Sequence, residues 1–119
     1  MEDSMHDILE ELNVTPGARG SMLVSRDGFV IVSNVMSGVE ERTISAMIAS
    51  ITSEVGQTIS GLRRGELQAV SLYASGGNIF FLCRGDIILA MITEPAVNVG
   101  LVRVKMKTGL DRLTTMLTP

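Results

Sequence analysis

The amino-acid sequence predicts an α/β sandwich in which a five-stranded antiparallel sheet carries one helix on one face and two helices on the other. Three segments have apolar residues at the spacing of an amphipathic helix. Between them lie five apolar runs separated by short turn-forming pairs, which is typical of antiparallel strands. Both faces of these strands are apolar, so both need helices to cover them. The expected element order is αββαβββα.

Length and composition indicate one domain with a covered surface. The 119 residues predict a single domain over residues 1–119. The chain is 45% hydrophobic and only 19% charged, which suggests that a partner covers part of a small domain's surface. A net charge of −3 argues against nucleic acid as the main partner. The acidic N-terminus is unlike a signal peptide and no run is long enough to span a membrane, so we expect a cytoplasmic protein without membrane insertion.

The first helix begins near the N-terminus. Either Asp3 or Ser4 can cap it, and Pro16-Gly17 ends any continuation. Its apolar face consists of Met5, Ile8, Leu9 and Leu12.

A hairpin follows over about residues 20–33, with its turn at Asp27-Gly28. The pair predicts a type I′ turn, in which both central residues have positive φ. We interpret Asp27 as a turn residue, because a catalytic carboxylate would need a second acid, a histidine or a metal nearby. The apolar residues 22–24 and 29–32 are consecutive, so we expect both strands to be covered on both faces.

The middle helix, within residues 39–62, has two parallel stripes. A large apolar stripe consists of Ile44, Met47, Ile48, Ile51, Val55, Ile59 and Leu62. A small-residue stripe consists of Ala46, Ala49, Ser50, Ser53, Gly56 and Ser60. Since Glu54 is the only charged residue from 43 to 62, either this is a weakly amphipathic surface helix, or the large stripe packs on the sheet while the small stripe meets another helix. Arg63-Arg64-Gly65 is expected to end the helix.

The C-terminal half predicts a three-stranded meander and a last helix. Two-residue turns at Gly76-Gly77 and Gly85-Asp86 separate the three strands, and Asn98 is positioned to cap the helix. The apolar face of that helix consists of Val99, Val102, Met106, Leu110, Leu113, Met116 and Leu117.

Catalytic and cofactor signals are weak. His6 and Cys83 are far apart and make neither a zinc site nor a convincing nucleophile pair, and Cys83 is interpreted as a buried apolar residue. The loops lack the residues of a phosphate-binding motif. Arg63 and Arg64 remain open to an arginine-finger role, although a helix C-terminus already explains them. We predict a protein that is not an enzyme and has no cofactor, metal site or nucleic-acid partner.

Several segments together resemble the Roadblock family. They are GARGSMLVSRDGFVIVS, ISAMIASITSEVGQTI, LYASGGNIFFLC and IILAMITEPAVNVGLVRVKM, and the resemblance extends from about Leu9 to Leu117. The family includes dynein light chains, lysosomal scaffold subunits and prokaryotic regulators of Ras-like GTPases. The resemblance implies the fold predicted above.

The resemblance also implies a homodimer that binds a Ras-like small GTPase. The third strand would pair with its twin and the middle helices would pack together; the implied interface is Ala46, Ala49, Ser50, Ser53, Gly56, Ser60 and Leu72. By position on the helix, the implied partner-binding residues are Glu40, Glu41, Arg42, Ser45, Ala49 and Thr52, with Ser53 and Gly56 beside them. The chain stops directly after the last helix, so we expect it to lack contacts that relatives make through a C-terminal extension.

Two other functions stay open at this point. One is a structural subunit that bridges a larger motor or signalling complex. The other is a small-molecule sensor, which would need a pocket with convergent polar groups. The strands are mostly Leu, Ile, Val, Phe and Met, which favours a filled core over such a pocket.

Overall fold

The computed structural model describes residues 4–118 and confirms the predicted element order. The elements are α1 (Met5–Asn13), β1 (Ala18–Ser25), β2 (Val30–Val35), α2 (Glu41–Gly61), β3 (Ala69–Ala74), β4 (Gly77–Arg84), β5 (Ile87–Thr93) and α3 (Val99–Leu117). The strands form one antiparallel sheet in the order β2-β1-β5-β4-β3. The β1–β2 hairpin and the β3–β5 meander therefore meet at the β1–β5 pair, and β2 and β3 are the edge strands.

Helices cover both faces of the sheet, as predicted. On one face, α1 and α3 pack over a core that includes Leu23, Leu89 and Met91. On the other face, Ile48 of α2 packs against Phe81 and Ile88. Gly109 of α3 is buried where α3 crosses α1, close to Ile8 and Leu12. Helices α1 and α3 therefore share one face of the sheet, and α2 covers the other.

The helix N-termini are capped by the expected side chains. The hydroxyl of Ser4 accepts from the backbone N–H of Asp7, while the Asp7 carboxylate accepts from the backbone N–H of Ser4. These hydrogen bonds favour the ionised carboxylate, so the pKa of Asp7 is lowered. Asn98 caps α3 by accepting from the N–H of Leu101 at 3.0 Å. The alternative cap Asp3 lies outside the described residues.

The first turn differs from the prediction. Four residues, 26–29, separate β1 from β2, and Gly28 has φ +90° while Asp27 does not have a positive φ. The N–H of Gly28 donates to the carbonyl of Ser25 at 3.0 Å, and the N–H of Ser25 donates to the carbonyl of Phe29 at 2.9 Å. The type I′ prediction is therefore wrong, because this longer loop needs only one left-handed residue and glycine supplies it.

The prediction that both hairpin strands are covered on both faces holds only for β1. Met22, Leu23 and Val24 are fully buried because β1 lies between β2 and β5. In contrast, Ile31 of β2 is 41% exposed and Phe29, just before it, is 72% exposed. Apolar residues at consecutive positions do not distinguish a central strand from an edge strand.

The apolar face predicted for α3 is buried only in part. Val102, Met106, Leu110 and Leu113 are buried between the helices and the sheet, and Val99 is half-buried. Met116 and Leu117 are exposed, because the last turn of α3 extends past the core.

Candidate functional site

The helix α2 is the element on which the predicted interfaces depend. Its first turn is tied to the edge strand, because the Ser33 hydroxyl donates to the Glu41 carboxylate. Its last turn ends in a Schellman motif: the N–H of Arg63 donates to the carbonyl of Ser60, and the N–H of Arg64 donates to that of Ile59. The left-handed residue of this motif is Arg63 (φ +55°), although Gly65 follows two residues later with φ +87°. The helix therefore ends directly before Arg63-Arg64-Gly65, as predicted.

The buried face of α2 lies between the two predicted stripes. Its buried residues are Ser45, Ile48 and Thr52. The Ser45 hydroxyl donates to the carbonyl of Arg42 at 3.1 Å, and the Thr52 hydroxyl donates to that of Ile48 at 2.8 Å. Because these hydroxyls are satisfied by the helix itself, they can face the sheet at little cost. The hydrophobic pattern alone pointed to the large stripe as the buried face.

The small-residue stripe faces the turns at one end of the sheet. Ala49 is half-buried beside Gly28, where a Cβ on the glycine would approach the Ala49 Cβ to 3.3 Å. Further along, Ser53, Gly56 and Ser60 line an open polar cleft of about 500 Å³ that also contains Arg26 and Asp86. Ala46 and Ser50 are exposed. The stripe is thus divided between a contact inside the protomer and open surface.

The large apolar stripe lies on the opposite side of the buried face from the small-residue stripe. Ile44, Met47 and Ile51 are half-buried and pack on the same core as Val70 and Leu72 of that strand. Val55 is 38% exposed and Leu62 is 66% exposed. The stripe and the edge strand β3 therefore border the same core, and both are only half covered.

The residues predicted to bind a partner are not all at the surface. Glu40 and Arg42 are exposed, and Glu41 is half-buried in its bond to Ser33. Ser45 is 3% exposed and Thr52 is 2% exposed. Both point at the sheet, so neither is available for a contact with another protein. The outer face of the helix instead presents Thr43, Ala46, Ser50, Ser53 and Gln57.

Tyr73 was not identified from the sequence as an interface residue. It lies on the edge strand β3 and is 60% exposed, with its ring edge-on to Phe80 at 5.6 Å between centroids. An exposed aromatic side chain on a free edge is a common feature of protein interfaces. The signal that could have found it is the strand order, which places β3 at the edge.

The candidate reactive groups do not form a catalytic cluster. His6 is exposed and lies 3.5 Å from Glu10 on the same helix, and Cys83 is buried, which raises the pKa of its thiol. Within residues 4–118, no group of three or more His, Cys, Asp or Glu side chains is placed to hold a metal ion. No helix in that part of the chain is long and apolar enough to cross a membrane.

Comparison with known proteins identifies the family. The Roadblock/LC7 domain family matches residues 5–93, so the chain belongs to this family. The protein MJ0714 of Methanocaldococcus jannaschii is 33% identical over 117 residues, covering 98% of this chain and 99% of that protein.

Two solved structures have the same fold at low sequence identity. Myxococcus xanthus MglB superimposes with a TM-score of 0.88 at 18% identity, covering 95% of this chain and 94% of that one. A Roadblock/LC7 domain from Streptomyces avermitilis gives a TM-score of 0.87 at 14% identity, covering 98% of both chains. The resemblance inferred from the sequence is therefore confirmed, and the fold is that of a Roadblock/LC7 domain.

Proposed function

We propose that this chain is a dimeric, non-enzymatic regulatory module that binds a Ras-like small GTPase and modulates its nucleotide cycle. Membership of the Roadblock/LC7 family supports a regulatory or scaffold role. The structural likeness to MglB supports the prokaryotic regulatory branch of the family. A structural subunit that bridges a larger complex is the alternative.

The observation that carries the proposal is the outer face of α2. This helix has 21 residues, and its only charged side chain after Arg42 is Glu54. An exposed helix face is normally rich in Lys, Glu and Arg, and depletion of charge is the compositional mark of an interface core. The small side chains of this face would let a partner approach the helix backbone closely. Such a face is suited to contact with another protein.

The proposed dimer uses the side of α2 that faces β3. A second copy that pairs with β3 would extend the sheet and bring the half-buried stripe of Ile44, Met47 and Ile51 against its twin. Leu72 keeps its expected place in this interface. The small-residue stripe lies on the other side of the helix from the half-buried apolar stripe, so we assign Ala46, Ser50 and Ser53 to the partner-binding surface, with Gly56 and Ser60 along the adjoining cleft. Ala49 remains a packing residue of the protomer.

The test measures binding to the Ras-like GTPases of the same organism. Each GTPase is loaded with GDP or with a non-hydrolysable GTP analogue, and binding is followed by biolayer interferometry. We expect affinity to depend on the nucleotide, because a regulator shifts the switch loops only through its different affinity for the two states. The protein alone is expected to hydrolyse neither GTP nor ATP.

Two charge reversals locate the surface. Arg42→Glu is expected to lower the association rate and change its salt dependence while leaving the dimer intact, since a charge at the rim of an interface mainly steers encounter. Arg103→Glu, at an exposed position on α3, is the matched control and should bind as the parent does. Glu41 is less informative, because its carboxylate already binds Ser33. Absence of binding by every host GTPase in both nucleotide states would overturn the proposal in favour of the structural subunit.

A further inference from the structure

A groove lies beside α3, on the sheet face opposite to α2. On this face α1 lies over β1 and β2, while α3 lies over β4 and β5. The edge strand β3 turns Ser71 and Ala69 to the same face, because their cross-strand partners on β4 are Phe80 and Leu82, which pack in the core under α3. A groove of about 700 Å³ is lined by α3 and by this part of β3 and β4. We call it the α3–β3 groove.

The floor of the α3–β3 groove is apolar, and its outer side has small residues. Phe80, Met106 and Leu110 all line the groove, and their side chains belong to the core. On β3, Ala69 is exposed and Ser71 is half-buried. These small side chains leave room above the strand. Since a helix is the element that normally covers an apolar sheet face, the groove corresponds to the place of a further helix.

The rim of the groove is basic, although the protein is acidic. Four of the ten basic residues of the chain line the groove, but only one of its thirteen acidic residues does. Arg84 is paired with Asp111 at 2.5 Å. No ion pair among residues 4–118 involves Arg103 or Lys107, and both side chains are exposed. The basic residues of the lining are Arg26, Arg84, Arg103 and Lys107, and the acidic one is Glu66.

The apolar floor and the basic rim indicate what kind of molecule the groove binds. Arg103 and Lys107 are four residues apart on α3, so they lie on the same side of the helix. A small-molecule site buries most of its ligand together with the polar groups that hold it, whereas exposed charges around an apolar surface steer a larger partner of opposite charge. A net charge of −3 argues against nucleic acid. The partner that fits is an amphipathic helix with apolar residues on one face and carboxylates beside it.

We propose that the α3–β3 groove binds an acidic amphipathic helix of a second partner protein. The apolar face of that helix packs on Phe80 and Met106, and its carboxylates lie beside Arg103 and Lys107. The groove and the outer face of α2 are on opposite faces of the sheet, so the two surfaces are separate. Pairing of β3 with a second copy would use backbone groups in the plane of the sheet and would leave the groove accessible. The protein then holds two partners at once, one on each face of the sheet.

A synthetic peptide tests the groove in the full chain. The probe is a fluorescein-labelled peptide of about 14 residues built from LEELLEE heptads, which corresponds to roughly 21 Å of amphipathic helix. Fluorescence anisotropy during titration with the protein should give a Kd of about 10–100 µM, the range of a small interface. The same peptide with every glutamate replaced by lysine is the control, and it should not bind.

Two variants of the protein locate the binding site. Lys107→Glu is expected to weaken binding of the acidic peptide by about fivefold or more and to reduce its salt dependence. Lys105→Glu is the matched control, because Lys105 and its neighbour Val104, which is 65% exposed, lie on the side of α3 that faces α1. Ser71→Phe fills the groove beside Phe80 and should abolish binding, with circular dichroism as the check that the variant is folded.

The outcomes separate this site from the proposed GTPase surface. If the acidic peptide does not bind, or if Lys107→Glu binds it as tightly as Lys105→Glu does, the proposal is overturned. Binding to phosphatidylserine vesicles in place of the peptide would overturn it in favour of a membrane surface. Arg42→Glu should bind the peptide as the parent does, and Lys107→Glu should bind the GTPase as the parent does. Peptide binding is therefore expected even if no GTPase binds.

Discussion

At the residue scale, Gly77 shows how the backbone constrains a single position. It begins β4 with φ +152°, and a Cβ there would lie 2.7 Å from the carbonyl oxygen of Thr93. This oxygen belongs to the backbone of a central strand and cannot move aside easily. Gly76, its neighbour in the same turn, has open space around it. The two glycines look equivalent in the sequence but are under different constraints.

We therefore predict that Gly77→Ala destabilises the protein by about 1–3 kcal/mol, the usual cost of overpacking or of a strained backbone. Gly76→Ala is the control and should change the free energy of unfolding by no more than about 0.5 kcal/mol. Urea denaturation of both variants measures the difference. Equal stability of the two would show that β4 can shift away from Thr93.

The thiol of Cys83 is expected to be unreactive in the folded protein. Burial raises its pKa and the nearby Arg26 offsets this in part, so the folded thiol stays protonated at a pH where an unfolded one ionises. Its contribution to stability is therefore complete below the ordinary thiol pKa and is lost as the pH rises through that value towards the folded pKa. Labelling by a thiol reagent at pH 8 to 9 should be far slower in native protein than in urea. Equally fast labelling would place Cys83 at the surface.

At the element scale, the C-terminal turn of α2 contains a strained residue whose replacement should stabilise the protein. A residue other than glycine in the left-handed region costs about 1–2 kcal/mol, and Arg63 has that conformation. Glycine would relieve this cost but would lose more entropy on folding. We predict that Arg63→Gly raises the free energy of unfolding by about 0.5–1 kcal/mol, whereas Arg64→Gly does not. Urea denaturation of the two variants measures this difference. An unchanged free energy of unfolding in Arg63→Gly would show that arginine is not strained at this position.

Two residues of the small-residue stripe are expected to respond differently to replacement by leucine, because one is packed inside the protomer and the other is exposed. Ala49→Leu would push three additional carbon atoms towards Gly28, so we expect it to destabilise the protomer by about 1–3 kcal/mol. Ser53→Leu adds a similar bulk at an exposed position and should change stability by no more than about 0.5 kcal/mol. Thermal unfolding compares them. A stable Ala49→Leu variant would mean that the hairpin turn can move away from the helix.

At the scale of the whole molecule, we predict a dimer in solution. Light scattering should give twice the chain mass of 12.8 kDa at micromolar concentration. Met47→Lys would place a charge in the half-covered stripe beside β3, so it should yield a monomer. Val104→Lys should remain a dimer, and circular dichroism checks that both variants are folded. A parent protein of 12.8 kDa would contradict the prediction.

Much of the fold could be predicted because local signals agree with it. The Asn98 cap, the turn at Gly85-Asp86 and the helical spacing of Met5 to Leu12 all describe elements that the structure contains. The other turn of the meander lies one residue earlier than predicted, at residues 75–76, because Gly77 already pairs with Ala74 as the first residue of β4. The position of a strand within the sheet could not be predicted, since β1 and β2 have similar apolar runs and only pairing with β5 makes one of them central.

The candidate site was harder to predict for a related reason. Ser45 and Thr52 look like surface residues, yet their hydroxyls bond to the helix backbone and allow them to be buried. Helical periodicity groups residues into stripes, but it contains no information on how the helix is rotated about its own axis over the sheet. The face buried on the sheet therefore lies between the two predicted stripes. That rotation is decided by contacts with residues distant in sequence, such as Gly28, Phe81 and Ile88.

The β1–β5 pair at the centre of the sheet has a consequence for folding kinetics. Its register runs from Ala18 opposite Thr93 to Ser25 opposite Ile87, so every residue from 26 to 86 lies in the loop that this pairing closes. The β1–β2 hairpin and the β3–β5 meander can form early, because each pairs strands that are close in sequence. Pairing of β1 with β5 must first overcome the entropy lost when the long loop closes, before the hydrogen bonds of this pair stabilise the sheet. Until that pairing forms, the apolar sides of α2, of the β1–β2 hairpin and of the β3–β5 meander are exposed to water and to other chains. The rate at which β1 pairs with β5 therefore determines how long a newly synthesised chain exposes apolar surface that can aggregate.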